Sequence, residues 1–230
     1  MNKNNTAILL FSRTATIEAR EKPLAEGKQA SESVAGFLIQ HVKRLAVQTQ
    51  LPVFFISEKE QRGISFGERF ANAFEDIFQK GFERVVAIGN DCLFLTKQDI
   101  LSAAKALETT PSVLGATEDG GAYLIGFQKN RFQKQTFENI AWQSENTFLE
   151  LVDFFKSQDC STYFLSKKSD IDIYADWHKT LQKVGFYIKK QLIRLFDIGF
   201  APQAYCFLTP INALFLNTFL ALRAPPVFLK

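Results

Sequence analysis

Three segments carry side chains whose types and spacing could do chemistry. The first is Val85-Val86-Ala87-Ile88-Gly89-Asn90-Asp91-Cys92. Its apolar run reads as a buried strand that delivers Asp91 to the strand's C-terminal end. Gly89 lets the backbone pass close to a ligand. A carboxylate in that place can hold a hard divalent cation, which bridges diphosphate oxygens and neutralises a leaving group. Capping of the next turn by Asp91 is the other reading. The second segment runs Thr117-Glu118-Asp119-Gly120-Gly121-Ala122-Tyr123. Gly120 and Gly121 permit a tight turn with backbone N–H groups open to a substrate, or an ordinary Asp-Gly hairpin. The third is Ser169-Asp170-Ile171-Asp172-Ile173-Tyr174-Ala175-Asp176-Trp177. In an extended stretch Asp170 and Asp172 share a face and suit a metal. Otherwise Asp172 caps a helix, with Asp176 in its first turn.

The elements that must position these residues alternate along the chain. Ala7–Phe11, Val53–Ile56, Val85–Ile88, Val113–Ala116 and Tyr123–Phe127 are short apolar runs, as expected of strands covered by helices on both faces. Thr162–Leu165 is a candidate sixth. Between them lie helical patterns. One, capped by Ser31 or Ser33, runs to about Gln48; another opens at Ser65 with Phe66, Phe70, Phe74, Ile77 and Phe78 on one side. Thr96 and Asp99 make a capping-box-like start for a helix over Ile100–Leu107, and Phe148–Phe155 continues the series. The β-α-β-α order predicts an α/β domain with a mostly parallel sheet and ligands outside the strand C-termini. The domain is assigned to residues 1–184, and 185–230 to a helical C-terminal extension packed on it.

Composition narrows the function classes. The chain has 230 residues, 47% hydrophobic, which suits one α/β domain and excludes disorder. Its 24 phenylalanines read as core. A net charge of +3 is too small to argue for nucleic acid. Cys92, Cys160 and Cys206 are widely spaced, which argues against a disulfide framework or zinc site and for a reducing cytoplasm. The stretch Ala213–Leu222 is too short to span a bilayer and reads as a buried helix or a homodimer contact.

Taken in order, Ile88-Gly89-Asn90-Asp91-Cys92, Glu118-Asp119-Gly120-Gly121-Ala122-Tyr123-Leu124-Ile125-Gly126, Ile140-Ala141-Trp142 and Asp170-Ile171-Asp172 with Asp176 resemble the radical-SAM/selenodomain-associated transferases. Gln61-Arg62-Gly63-Ile64-Ser65-Phe66-Gly67-Glu68-Arg69 is similar to a further segment of that family. The family is similar to glycosyltransferase-A proteins and to nucleotidyltransferases of molybdopterin and related coenzyme biosynthesis. The resemblance implies a Rossmann-like glycosyltransferase-A fold, a nucleotide-diphosphate ligand and Mg²⁺ or Mn²⁺. It also implies Asp91 as one metal ligand and Asp170 or Asp172 as the second. The family's first loop runs through Lys-Thr-Arg-Leu. The corresponding stretch here is Glu18-Ala19-Arg20-Glu21-Lys22-Pro23-Leu24, where Glu18 and Glu21 would repel a diphosphate.

The expected function is a metal-dependent transferase with a nucleotide-diphosphate donor. Arg13, Arg20 and Lys22 would steady the phosphates, Gly89, Gly120 and Gly121 would line the ligand, and Asp119 would act on the acceptor side. A nucleotidyltransferase using a nucleoside triphosphate would need the same residues. A non-catalytic nucleotide-binding protein is the reading from another class, motivated by the altered first loop.

Overall fold

The computed structural model describes residues 5–169, with 183, 185, 188 and 190–192. Asp170, Asp172, Asp176, Cys206 and the apolar C-terminal stretch lie outside the described residues, as do nearly all positions of the expected extension.

Among the described residues six strands form one sheet in the order β2-β1-β3-β5-β4-β6. They are β1 (Thr6–Phe11), β2 (Val53–Ile56), β3 (Arg84–Ile88), β4 (Ser112–Ala116), β5 (Ala122–Gln128) and β6 (Thr162–Phe164). β1 pairs in parallel with β2 and β3, and β4 with β6. β5 pairs antiparallel with both β3 and β4. The sheet is therefore mostly parallel, with one reversed strand in its middle. That reversal is dictated by the short connection between Ala116 and Ala122, since a parallel crossover needs roughly a dozen residues.

The helices are α1 (Ala15–Glu21), α2 (Lys28–Gln48), α3 (Phe66–Gln79), α4 (Lys97–Ala106), α5 (Lys134–Glu138) and α6 (Thr147–Lys156). Ser65 caps α3 by accepting from the Glu68 backbone N–H, and Thr96 with Asp99 forms a full capping box on α4. α2 begins earlier than its serines suggest. Gly27, at φ 87°, turns the chain into the helix, and the Ser31 hydroxyl bonds the Ala25 backbone instead of capping.

The sheet separates two cores. On one face Phe70, Phe74 and Ile77 of α3 pack with Phe127, Phe137, Phe154 and Phe155. On the other, Val42 and Ala46 of α2 meet Ile100, Ala103 and Leu107 over Ile8, Leu10, Val86 and Val113. The strand runs are nearly continuous in apolar residues because both sides of the sheet are covered. No helix among the described residues is long and apolar enough to cross a membrane.

Candidate active site

A cleft of about 390 Å³ opens over the C-terminal ends of β1 and β3 and the start of β5. These ends coincide because β5 runs backwards: Ile88, the last residue of β3, lies opposite Leu124. One side of the cleft is polar, with Arg13, Glu18, Lys22, Asn90 and Asp91; the other is aromatic, with Phe66, Phe70 and Trp142.

The polar side comes from the loop after β1, from α1 and from the loop after β3. Thr14 ties the first of these to the end of β2: its backbone N–H and its hydroxyl each donate to the Glu58 carboxylate at 2.6 Å. Glu18 is buried on the inner side of α1. Its carboxylate stands 3.6 Å from Arg13 and 3.7 Å from Lys22. Burial pushes the Glu18 carboxyl above its ordinary range and Asp91 adds to the rise, while Lys22 and Arg13 pull against it. Lys22 Nζ reaches Asp91 Oδ2 at 2.7 Å. The Asn90 side-chain nitrogen is buried in the cleft lining, short of a full hydrogen bond among the described residues but near enough to Glu18 to help hold its carboxyl down. A ligand oxygen is the kind of group that would satisfy it.

The aromatic side is held by the segment between α5 and α6. Trp142 Nε1 donates to the Phe137 carbonyl at 2.9 Å, which turns the indole's polar handle away from solvent. The indole packs 5.6 Å from Phe66 and 5.2 Å from Phe70. Glu150 accepts from the Ala141 N–H and Thr147 donates to the Ala141 carbonyl, so the backbone beside Trp142 is fixed. Gln143, which lines the cleft, has φ 61°, a conformation uncommon outside glycine.

Of the residues singled out in the sequence, Arg13, Lys22, Gly89, Asp91 and Gly121 line this cleft. Arg20 does not: it points to solvent and pairs with its neighbour Glu21. Asp119 is occupied by the β4–β5 turn, where it accepts from the Thr117 hydroxyl and, at 3.2 Å, from the Gly121 N–H. Gly120, at φ 94°, packs so tightly on Glu145 that a Cβ would lie 2.0 Å from its carbonyl oxygen, so it serves the turn. Glu18, Asn90, Arg69 and Phe66 line the cleft without having been assigned to it. The signal for Glu18 was its i, i+4 spacing to Lys22 on a short helix.

The expected Mg²⁺ or Mn²⁺ can be tested against these side chains. A hard ion takes oxygen ligands at roughly 2.0–2.6 Å. Asp91 Oδ2 already carries the Lys22 ammonium, and Glu18 lies between Arg13 and Lys22. Among the described residues no three of His, Cys, Asp or Glu gather to hold a metal. Among the described residues, the side chains as arranged hold an internal cation, Lys22, at the expected ion's Asp91 ligand.

The fold and the cleft together define a mixed α/β protein with a ligand-sized opening at its strand C-termini. A family model described as "Uncharacterized protein conserved in bacteria (DUF2064)" matches residues 33–144, from α2 to the segment holding Trp142. Among solved structures, a nucleotide-diphospho-sugar transferase described as putative, from Desulfovibrio desulfuricans G20, is 20% identical. It aligns with TM-score 0.71 over 85% of this chain and 99% of that one. That likeness establishes the fold. A 4-diphosphocytidyl-2C-methyl-D-erythritol synthase from Anaerococcus prevotii is 11% identical, at TM-score 0.48, over 78% of this chain and 99% of that one. A manganese complex of Rv0371c from Mycobacterium tuberculosis is 10% identical, at TM-score 0.47, over 78% and 99%. No curated protein matches the sequence.

Proposed function

We propose that the protein is a transferase that takes a nucleotide-diphosphate donor in this cleft and moves a glycosyl group from it. The observation that carries the reading is the pairing, in one cleft at the strand C-termini, of first-loop cations with an aromatic wall. Arg13, Lys22 and Arg69 outnumber Glu18 and Asp91 among the charged lining residues, so an anion is favoured there. Phe66 and Trp142 offer flat apolar surface to a ring. A ligand with a diphosphate at one end and rings at the other matches both sides.

In glycosyl transfer the bond from the sugar's anomeric carbon to the diphosphate oxygen breaks, and the acceptor's nucleophile bonds to that carbon. Negative charge grows on the departing diphosphate. Lys22 and Arg13 would meet it, and the Asn90 amide, beside Glu18, would donate to a ligand oxygen. The same cations would meet pyrophosphate if the donor were a nucleoside triphosphate, so product analysis must separate the two reactions. The resemblance to a solved transferase in fold supports the class. A calorimetric panel of nucleoside diphosphates and nucleotide sugars tests the reading, followed by product analysis with the best binder. Binding of at least one, with loss in Arg13→Ala, is the expected result. A panel with no binder refutes it.

A further inference from the structure

We propose that Lys22 is the resident cation of the cleft, standing on Asp91 where a divalent ion would stand, so that the ammonium neutralises the diphosphate without Mg²⁺ or Mn²⁺. The inference rests on the diphosphate reading for its second half only. The exclusion of the ion comes from the Lys22–Asp91 contact alone.

The geometry is direct. Lys22 Nζ lies 2.7 Å from Asp91 Oδ2 and 3.7 Å from Glu18 Oε1. A divalent ion on the same Asp91 oxygen would sit at roughly 2.0–2.6 Å, on ground the ammonium already holds. Two cations cannot share that contact at such range without strong repulsion. An ion on Asp91 must therefore displace Lys22 from Oδ2 or take Oδ1 beside it, and the ammonium's charge opposes both.

Lys22 is also fixed from the backbone side. It caps α1, donating its N–H to the Glu18 carbonyl at 2.8 Å. Pro23 follows, and proline drives its predecessor to extended geometry. Lys22 has that geometry, φ −122° and ψ 118°. Leu24, only 1% exposed, anchors the next position in the core. On the opposite side Asp91 is followed by Cys92 and Leu93, both buried. Each partner therefore projects from anchored backbone, and little freedom is lost when the pair forms. An ammonium carries less charge than a divalent ion. Arg13 and Arg69 line the same cleft and supply the remainder.

The test begins with the metal alone. Mn²⁺ is titrated into the full-length wild type, Lys22→Met and the double variant Lys22→Met/Asp91→Asn, followed by electron paramagnetic resonance. Met keeps the length of the side chain and removes the charge. Lys22→Met should bind Mn²⁺ about tenfold more tightly than the wild type, because the ion no longer has to displace the ammonium or sit against its charge. The double variant should lose that gain. Wild-type protein binding Mn²⁺ as tightly as Lys22→Met overturns the inference. If Lys22→Met melts far below the wild type, Lys22→Gln takes its place. In a second arm UDP, ADP, GDP and CDP are titrated by calorimetry in EDTA and in Mn²⁺. Wild-type affinity for the best binder should be the same in both buffers, and Lys22→Met should be about tenfold weaker in EDTA. Binding to the wild type only with Mn²⁺ overturns the inference and upholds the diphosphate reading. Failure of all four nucleotides in both buffers refutes the diphosphate reading, and the Mn²⁺ comparison still decides whether Lys22 excludes the ion.

Discussion

Lys22 and Asp91, 69 positions apart in the chain, meet in a 2.7 Å ion pair. The pair ties the end of α1 to the loop after β3 across the mouth of the cleft. Both side chains are about a quarter exposed, so water screens part of the attraction. A double-mutant cycle with Lys22→Met and Asp91→Asn, read by urea denaturation, should give a coupling of about 0.5–1 kcal/mol. A coupling of zero would mean that the two side chains do not hold each other in solution.

The two first-loop arginines should behave differently. Arg13 lines the cleft and stands on the buried Glu18 at 3.6 Å, whereas Arg20 is exposed and, among the described residues, pairs with Glu21 beside it. Arg13→Ala should weaken nucleoside diphosphate binding about tenfold, through the lost charge and the buried Glu18 left with one cation fewer. Arg20→Ala should leave it unchanged. Equal losses in calorimetry would show that the loop presents both cations to the ligand.

The strands and most helices were legible because burial on both faces of a sheet writes itself as unbroken apolar runs. A run has no direction, however, and nothing within Tyr123–Phe127 says that β5 is reversed. The information lay in the spacing: the residues between Ala116 and Ala122 are too few for a crossover. That same reversal makes the Asp119-Gly120-Gly121 segment a hairpin turn and occupies Asp119 within it. Asp91 was legible as the residue after a buried strand. Its partner was not, because the contact joins two loops through tertiary packing. Glu18 read as a repulsive neighbour of a phosphate. Only its burial against Arg13 and Lys22 shows it to be part of the cleft's charge balance.

Stability should fall as pH drops through the histidine range, and His41 supplies the reason. Burial lowers its affinity for a proton, Arg44 lowers it further, and only the Leu93 carbonyl acts the other way. An unfolded His41 protonates near 6.5, above the folded value. The stabilisation is therefore complete above that pH. It diminishes as the pH falls below it, because the unfolded chain takes up the proton first. Melting temperatures measured from pH 8 to pH 5 should show the decline, and His41→Phe, stacked on Phe37, should flatten it. A wild-type profile no steeper than that of the variant would refute the assignment.

The Phe cluster should be intolerant of truncation at its centre. Phe74 is fully buried, stacked 4.5 Å from Phe127 and within 5.1–5.4 Å of Phe70 and Phe137. Phe74→Ala removes a ring whose neighbours belong to α3, β5 and α5 and cannot all collapse into the gap. The loss should be about 3–5 kcal/mol in a urea titration. A loss under about 1 kcal/mol would mean that the cluster repacks freely.

Gly67 reverses an ordinary rule. In a helix, replacing glycine by alanine usually stabilises by up to about 1 kcal/mol, because it restricts the unfolded chain. Gly36, in α2, is such a case: a Cβ there would meet only the Ala15 Cβ, at 3.7 Å. A Cβ on Gly67 would lie 2.1 Å from the Glu138 carbonyl oxygen and 2.9 Å from Trp142 Cδ1. The carbonyl belongs to backbone at the end of α5, and α5 is pinned to α3 by the Lys134–Glu75 ion pair at 2.8 Å. It cannot swing aside as a flexible side chain would. Overpacking of this kind costs about 1–3 kcal/mol and outweighs the helix gain. Gly67→Ala should therefore lower the urea midpoint while Gly36→Ala holds or raises it. The same clash pushes on the indole that forms the aromatic side of the cleft. A shift in tryptophan emission and weaker binding of a nucleotide should accompany the lost stability in Gly67→Ala and be absent from Gly36→Ala. Equal stability of the two variants would show that α3 and α5 do not approach as closely as the Gly67–Glu138 contact requires.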